Sequence, residues 1–202
     1  MKKTMKSSLL VLMMCVMVVT LFSKDVNALA RKEGKYQPKK GYFLVTKDGK
    51  IGHVEIIYYV NAKNNKIGTT IGSMGPGVGV KSDNLQKWVN KKKEFWILEV
   101  RGVSRKKQEK AADWCAKQIG KPYNNNFSNI STRKRFYCSQ LVWAAYKDLY
   151  GIDLNTKSFD GFSYYYDTGK LKLCKTKKYC QQIAPIELVK SNKTKVVYHY
   201  KR

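Results

Sequence analysis

The sequence predicts an α+β domain, an antiparallel β-sheet packed against helices, and three observations carry that expectation. Short apolar runs separated by turn signals fill the chain as far as Val100. Helical periodicity with clear stop signals follows, and a cysteine opens the most apolar of these helices.

Before the domain comes a stretch that reads as an export leader. Lys2, Lys3 and Lys6 precede an apolar run from Ser8 to Phe22, and Ala28-Leu29-Ala30 gives the small-x-small pattern of a cleavage site. The run is about 15 residues, short of the about 20 that cross a bilayer, which favours a leader over an anchor. The expected organisation is a signal peptide over 1–30, a flexible basic arm over 31–40 and one folded domain over 41–202. Cleavage near Ala30 makes the protein secreted or associated with the cell envelope.

In order, residues 41–45 form a first strand that ends at Lys47-Asp48-Gly49-Lys50, where Asp-Gly is a hairpin signal. Residues 51–60 and 67–71 give two more strands around a turn carrying Asn64 and Asn65. Gly72, Gly75, Gly77 and Gly79 make a tight loop, which lacks the Gly-Lys-Ser/Thr end of a phosphate loop. Ser82 or Asp83 is expected to cap a short helix through Val89, and 95–100 reads as another strand. Ser104 caps a helix over 105–119 that buries Ala111, Cys115 and Ile119 and stops at Gly120 and Pro122. The helix over 138–149 places Cys138, Leu141, Val142, Ala145 and Leu149 on one face and ends at Gly151. An aromatic segment over 159–166, a short helix near Glu187 and a strand over 195–200 complete the chain.

Forty Lys and Arg against 14 Asp and Glu give a net charge of +26 in 202 residues. For an exported chain the polyanions within reach are acidic wall polymers and anionic membrane surfaces. No zinc-finger, RRM or KH spacing accompanies the lysines, so no nucleic-acid partner is expected. No cofactor and no metal are expected either.

Beyond the leader the cysteines are Cys115, Cys138, Cys174 and Cys180. Cys174 and Cys180, close together in a polar segment, are the disulfide candidate. Cys115 falls on a buried helix face, which leaves Cys138. A thiol at a helix N-terminus is ionised more easily, and an imidazole beside it completes the pair a thiol hydrolase needs. His53 is the histidine inside a strand-like apolar run. Glu55, two residues on, and Glu99, on a neighbouring strand, are candidates for the third polar residue.

Gly52-His53-Val54 on a strand, Gly120-Lys121-Pro122-Tyr123 after a helix, and Tyr137-Cys138-Ser139-Gln140-Leu141-Val142-Trp143 opening the next resemble permuted papain-like hydrolases of the YiiX/YebB-like type. These are relatives of the NlpC cell-wall peptidases and of lecithin retinol acyltransferase. The resemblance implies a permuted papain-like fold with Cys138 as nucleophile, His53 as general base, and Tyr123, with Tyr137 and Ser139, along the substrate cleft. It also implies a glutamate where Gly72 stands, and often one where Gln140 stands. The activity implied is amide cleavage, with wall peptides as the favoured substrate. A lipid amide or ester hydrolase or acyltransferase, and a catalytically impaired module that binds wall or lipid ligands, are the alternatives.

Overall fold

The structure, a computed structural model, describes residues 34–49, 51–160, 162–165, 170–173 and 181–202. The leader, Cys174 and Cys180 lie outside the described residues.

The strands are β1 (Phe43–Thr46), β2 (His53–Val60), β3 (Gly68–Ser73), β4 (Val80–Asn84), β5 (Glu94–Val100), β6 (Phe162–Tyr165), β7 (Lys170–Leu173) and β8 (Thr194–Lys201). The helices are α1 (Leu85–Lys91), α2 (Arg105–Ala116), α3 (Cys138–Tyr150) and α4 (Pro185–Lys190). Six strands form one sheet in the order β4-β3-β2-β1-β5-β8, every neighbouring pair antiparallel, and β6 pairs with β7 apart from it.

Alternation along the strands divides the core in two. Phe43, Val45, Val54, Ile56, Trp96 and Leu98 pack with α2 and α3 in the larger cluster. Leu44, Ile57, Phe95 and Ile97 point the other way, where Leu85 and Trp88 of α1 cover them. The helices therefore occupy both faces of the sheet. The sheet centre is buried on two sides, which is why its strands read as continuous apolar runs.

Several expectations change in detail. Val80–Asn84 is an edge strand, and Asn84 rather than Ser82 or Asp83 caps the helix, accepting the Lys87 N–H at 2.9 Å. Four of its five residues are exposed, so their polarity mimics a capping run. Helix α2 stops at Ala116, which takes Ile119 out of the periodic face and leaves it 49% exposed. Leu149 is exposed too, in the last turn of α3, where Gly151 takes a φ of +69° and ends the helix. Residues 34–40 of the expected arm lie on the sheet. The Tyr36 ring packs edge-on against Tyr198, and Lys40 pairs with Asp113.

Candidate active site

Cys138 is the first residue of α3 because the chain arrives extended at Tyr137, whose carbonyl accepts the Leu141 N–H at 3.1 Å. Gln140 turns back and its Oε1 accepts the Tyr137 N–H at 3.1 Å, satisfying a donor the helix leaves open. The same fully buried amide donates through Nε2 to the carbonyls of Ile130 and Thr132, each at 3.1 Å. A glutamate there would have no proton to give those carbonyls, so this loop requires the glutamine. Just before the thiol, the Phe136 carbonyl accepts from the Ser73 hydroxyl at 2.6 Å and the Asn124 N–H at 3.0 Å. These bonds draw Tyr123 and β3 to the start of α3.

His53 opens β2, opposite Thr46. Gly52 precedes it with a φ of +78°, and a Cβ there would stand 2.5 Å from the Thr46 carbonyl oxygen, so the approach to the histidine needs glycine. The start of α3 meets the start of β2. The Cys138 thiol and the His53 imidazole face one another closely enough for each to shift the other's titration, and the backbone N–H groups of Val54 and Ser139 favour the ionised sulfur. Burial alone would raise the thiol pKa, but the imidazole and these donors outweigh it and pull Cys138 below the usual thiol value. Burial would likewise lower the imidazole pKa. Its bonds to Cys138 and Glu55 instead push His53 up to about 10. The favoured charge state is thiolate with imidazolium. Burial pushes the other described cysteine thiol, Cys115, upward.

Glu55 Oε1 lies 3.1 Å from His53 Nε2, so the side chains two apart on β2 do meet. Residues two apart on a strand have Cα atoms about 7 Å apart, and a glutamate is long enough to fold back along its own strand across that gap. The carboxylate is buried, and its Oε2 accepts from the Thr70 hydroxyl across β3. Ile56 pairs with Ile71, and continuing that register brings Glu55 opposite Gly72. A Cβ on Gly72 would come within 2.6 Å of Glu55 Cγ. The carboxylate that the resemblance places on β3 stands here on β2, and Gly72 supplies the room. Glu99 has other partners, the Tyr42 hydroxyl at 2.7 Å and Lys195 at 3.7 Å.

Tyr123, Tyr137 and Ser139 line a cavity beside Cys138. The Tyr137 hydroxyl accepts the Ile183 N–H at 3.1 Å, and the Ser139 hydroxyl donates to the Ile183 carbonyl at 2.7 Å. The wall these bonds hold, with Gln182, Ile183, Ala184, Pro185 and Ile186, had no sequence signal beyond a short apolar turn. Glu187 braces it by accepting the Ala184 N–H at 2.7 Å and the Ser158 N–H at 3.1 Å. Thr70 was equally invisible, since a strand threonine is an ordinary choice. Among the described residues no group of three or more His, Cys, Asp or Glu is placed to hold a metal ion.

The profile of a family described as permuted papain-like amidase enzymes, YaeF/YiiX, C92 family, matches residues 40–198. The uncharacterized protein YiiX of Escherichia coli strain K12 is 32% identical over 83 residues, a match spanning 40% of this chain and 39% of that relative. The crystal structure of metalloprotein yiiX from Escherichia coli O157:H7 superposes with a TM-score of 0.58 at 20% identity, covering 83% of this chain and 100% of that one.

Proposed function

The chain belongs to the permuted papain-like amidases of the YaeF/YiiX type, and from that premise we propose that it is an exported thiol amidase working through Cys138, His53 and Glu55. The observation that carries the reading is the pairing of His53 with the buried Glu55 carboxylate at 3.1 Å, set against the Cys138 thiol at the start of α3. Cys138 Sγ attacks the amide carbonyl, and the oxyanion forms beside the Ser139 N–H at the positive end of α3. The His53 proton passes to the departing nitrogen, the C–N bond breaks, and an acyl thioester remains. Water then gives a proton to His53 and its oxygen to the acyl carbon. The C–S bond breaks, the acid leaves, and the thiolate–imidazolium pair is restored. Glu55 fixes the ring and supports its positive charge, as the third member of such triads does.

The Escherichia coli relative is described as a metalloprotein. In this chain no suitable ligand group is found among the described residues, and no step above runs through a metal. Wall peptides remain the substrate class suggested by export and by the charge of +26. A second reading, cleavage of lipid amides or esters, is favoured by the apolar cavity at the nucleophile. The thiol reading is tested by iodoacetamide labelling across pH. Cys138 is expected to alkylate below the ordinary thiol pKa of about 8.5, and Cys115 to stay unmodified. His53→Ala should move the Cys138 inflection upward. Equal labelling of both cysteines, indifferent to His53, would refute it.

A further inference from the structure

A second hollow, of about 280 Å³, lies beside α1 and shares no lining residue with the cavity at Cys138. Its walls include the rings of Tyr36, Phe95, Tyr198 and Tyr200, with Phe95 centred 5.9 Å from Tyr198 and 5.3 Å from Tyr200. Lys66 and Arg202 add positive charge, and no lining residue carries an acidic side chain. The basic hollows at Lys195 and at Arg101 differ in this respect, since each contains a carboxylate, Glu99 in one and Asp153 in the other. Arg202 Nε donates to the Tyr200 hydroxyl at 2.8 Å and its Nη2 to the Asn90 carbonyl at 3.2 Å, which holds the guanidinium in place and leaves Nη1 uncommitted among the described residues. The exposed Gln86 supplies an amide that both donates and accepts. The Tyr36 hydroxyl is enclosed without a hydrogen-bond partner, a state that few buried polar groups keep. Burial pushes its pKa up to about 12 and raises that of Tyr198 too, so both phenols stay neutral and add no negative charge.

We infer that this hollow is a second binding site, for a phosphate-bearing saccharide of an acidic polymer, by which the protein attaches to that polymer apart from the cavity of its reacting thiol. The aromatic rings cover the apolar face of the sugar and remove it from water. Gln86 and the open Tyr36 hydroxyl meet sugar hydroxyls. Lys66 and Arg202 neutralise the phosphate, which a guanidinium grips through two oxygens at once. An inorganic anion would leave the rings unused, and a neutral sugar would leave the two cations without a counter-charge. The net charge of +26 also draws such a polymer toward the chain.

Isothermal titration of the native chain with glucose 6-phosphate, glucose, inorganic phosphate and glucuronate tests the site. Glucose 6-phosphate should bind about tenfold more tightly than glucose or inorganic phosphate, and raised salt should weaken it. Lys66→Gln and Arg202→Gln, both at exposed positions that the fold can accommodate, should each weaken binding about tenfold. Gln86→Ala should narrow the gap between glucose 6-phosphate and inorganic phosphate. Iodoacetamide should label Cys138 at the native rate in all three variants, because none of these residues lines its cavity. No binding of glucose 6-phosphate, equal affinity for inorganic phosphate, tighter binding of glucuronate, or binding indifferent to the variants overturns the saccharide site. So does a chain that ignores glucose 6-phosphate and binds phosphatidylglycerol vesicles through these same residues, which would make the face a membrane contact. Each of these results leaves the thiol mechanism standing.

Discussion

The carboxylate of Glu55 carries the positive charge of His53 at 3.1 Å and is held in turn by Thr70. Replacing Glu55 with Gln keeps the shape and removes the charge. A hydrogen bond to a charged group is worth about 1.5–3 kcal/mol, so kcat should fall about ten- to a hundredfold with KM little changed. The His53 value of about 10 is raised in part by this carboxylate. The imidazolium of the variant should lose its proton at lower pH, and the alkaline limb of the rate profile should move down. An unmoved limb would deny Glu55 its role. At this scale much of the arrangement was legible. Cys138 stood out because a helix start, an apolar face and elimination of the other cysteines converged on it, and His53 because of its apolar run, although a strand position does not distinguish it from His199, which lies in β8 and meets Glu94 at 3.1 Å. Glu55 and Glu99 were both candidates for the third residue, and the choice between them was not legible, since it depends on what faces Glu55 from the next strand, and a glycine carries no signal of the space it leaves.

Pairing between β2 and β3 is what makes that space usable. Gly72→Ala puts a methyl group 2.6 Å from Glu55 Cγ, and overpacking of this kind costs about 1–3 kcal/mol. Thermal unfolding should show the loss of stability, and activity should drop with the displaced carboxylate. The pairing also predicts an exchange. Glu55→Ala should lose activity, and adding Gly72→Glu should recover part of it by approaching the imidazole from the neighbouring strand. No recovery in a folded double variant would mean that only β2 can present the acid. In the loop packed on α3, Gln140→Glu removes two donors to buried carbonyls and should destabilise by about 2 kcal/mol or more, read by denaturant titration. Elements with continuous or helically periodic apolar runs were read correctly from sequence, such as β1, β5 and most of α3. The edge strand Val80–Asn84 was not, because pairing with β3 on one side sets its conformation while solvent sets its composition.

Over the whole chain, the leader and the charge belong together in the proposal of export. Protein recovered from the outside of a producing cell should begin near Arg31 by mass spectrometry, and recovery of a chain still carrying residues 1–30 would count against cleavage. Position 183 is tied at both its N–H and its carbonyl to the residues flanking the nucleophile. The polypeptide therefore leaves the end of α3 and later comes back to a fixed mooring beside the start of the same helix. On the way it lays Phe159 against the cavity beside Cys138, and the Phe159 carbonyl accepts from Gln182 Nε2 at 2.8 Å, so the return is fastened on both sides of the site. The helix that carries the nucleophile and the wall opposite it are thus fastened as one unit, so a change that loosens position 183 should be felt at Cys138 although the two lie far apart in sequence.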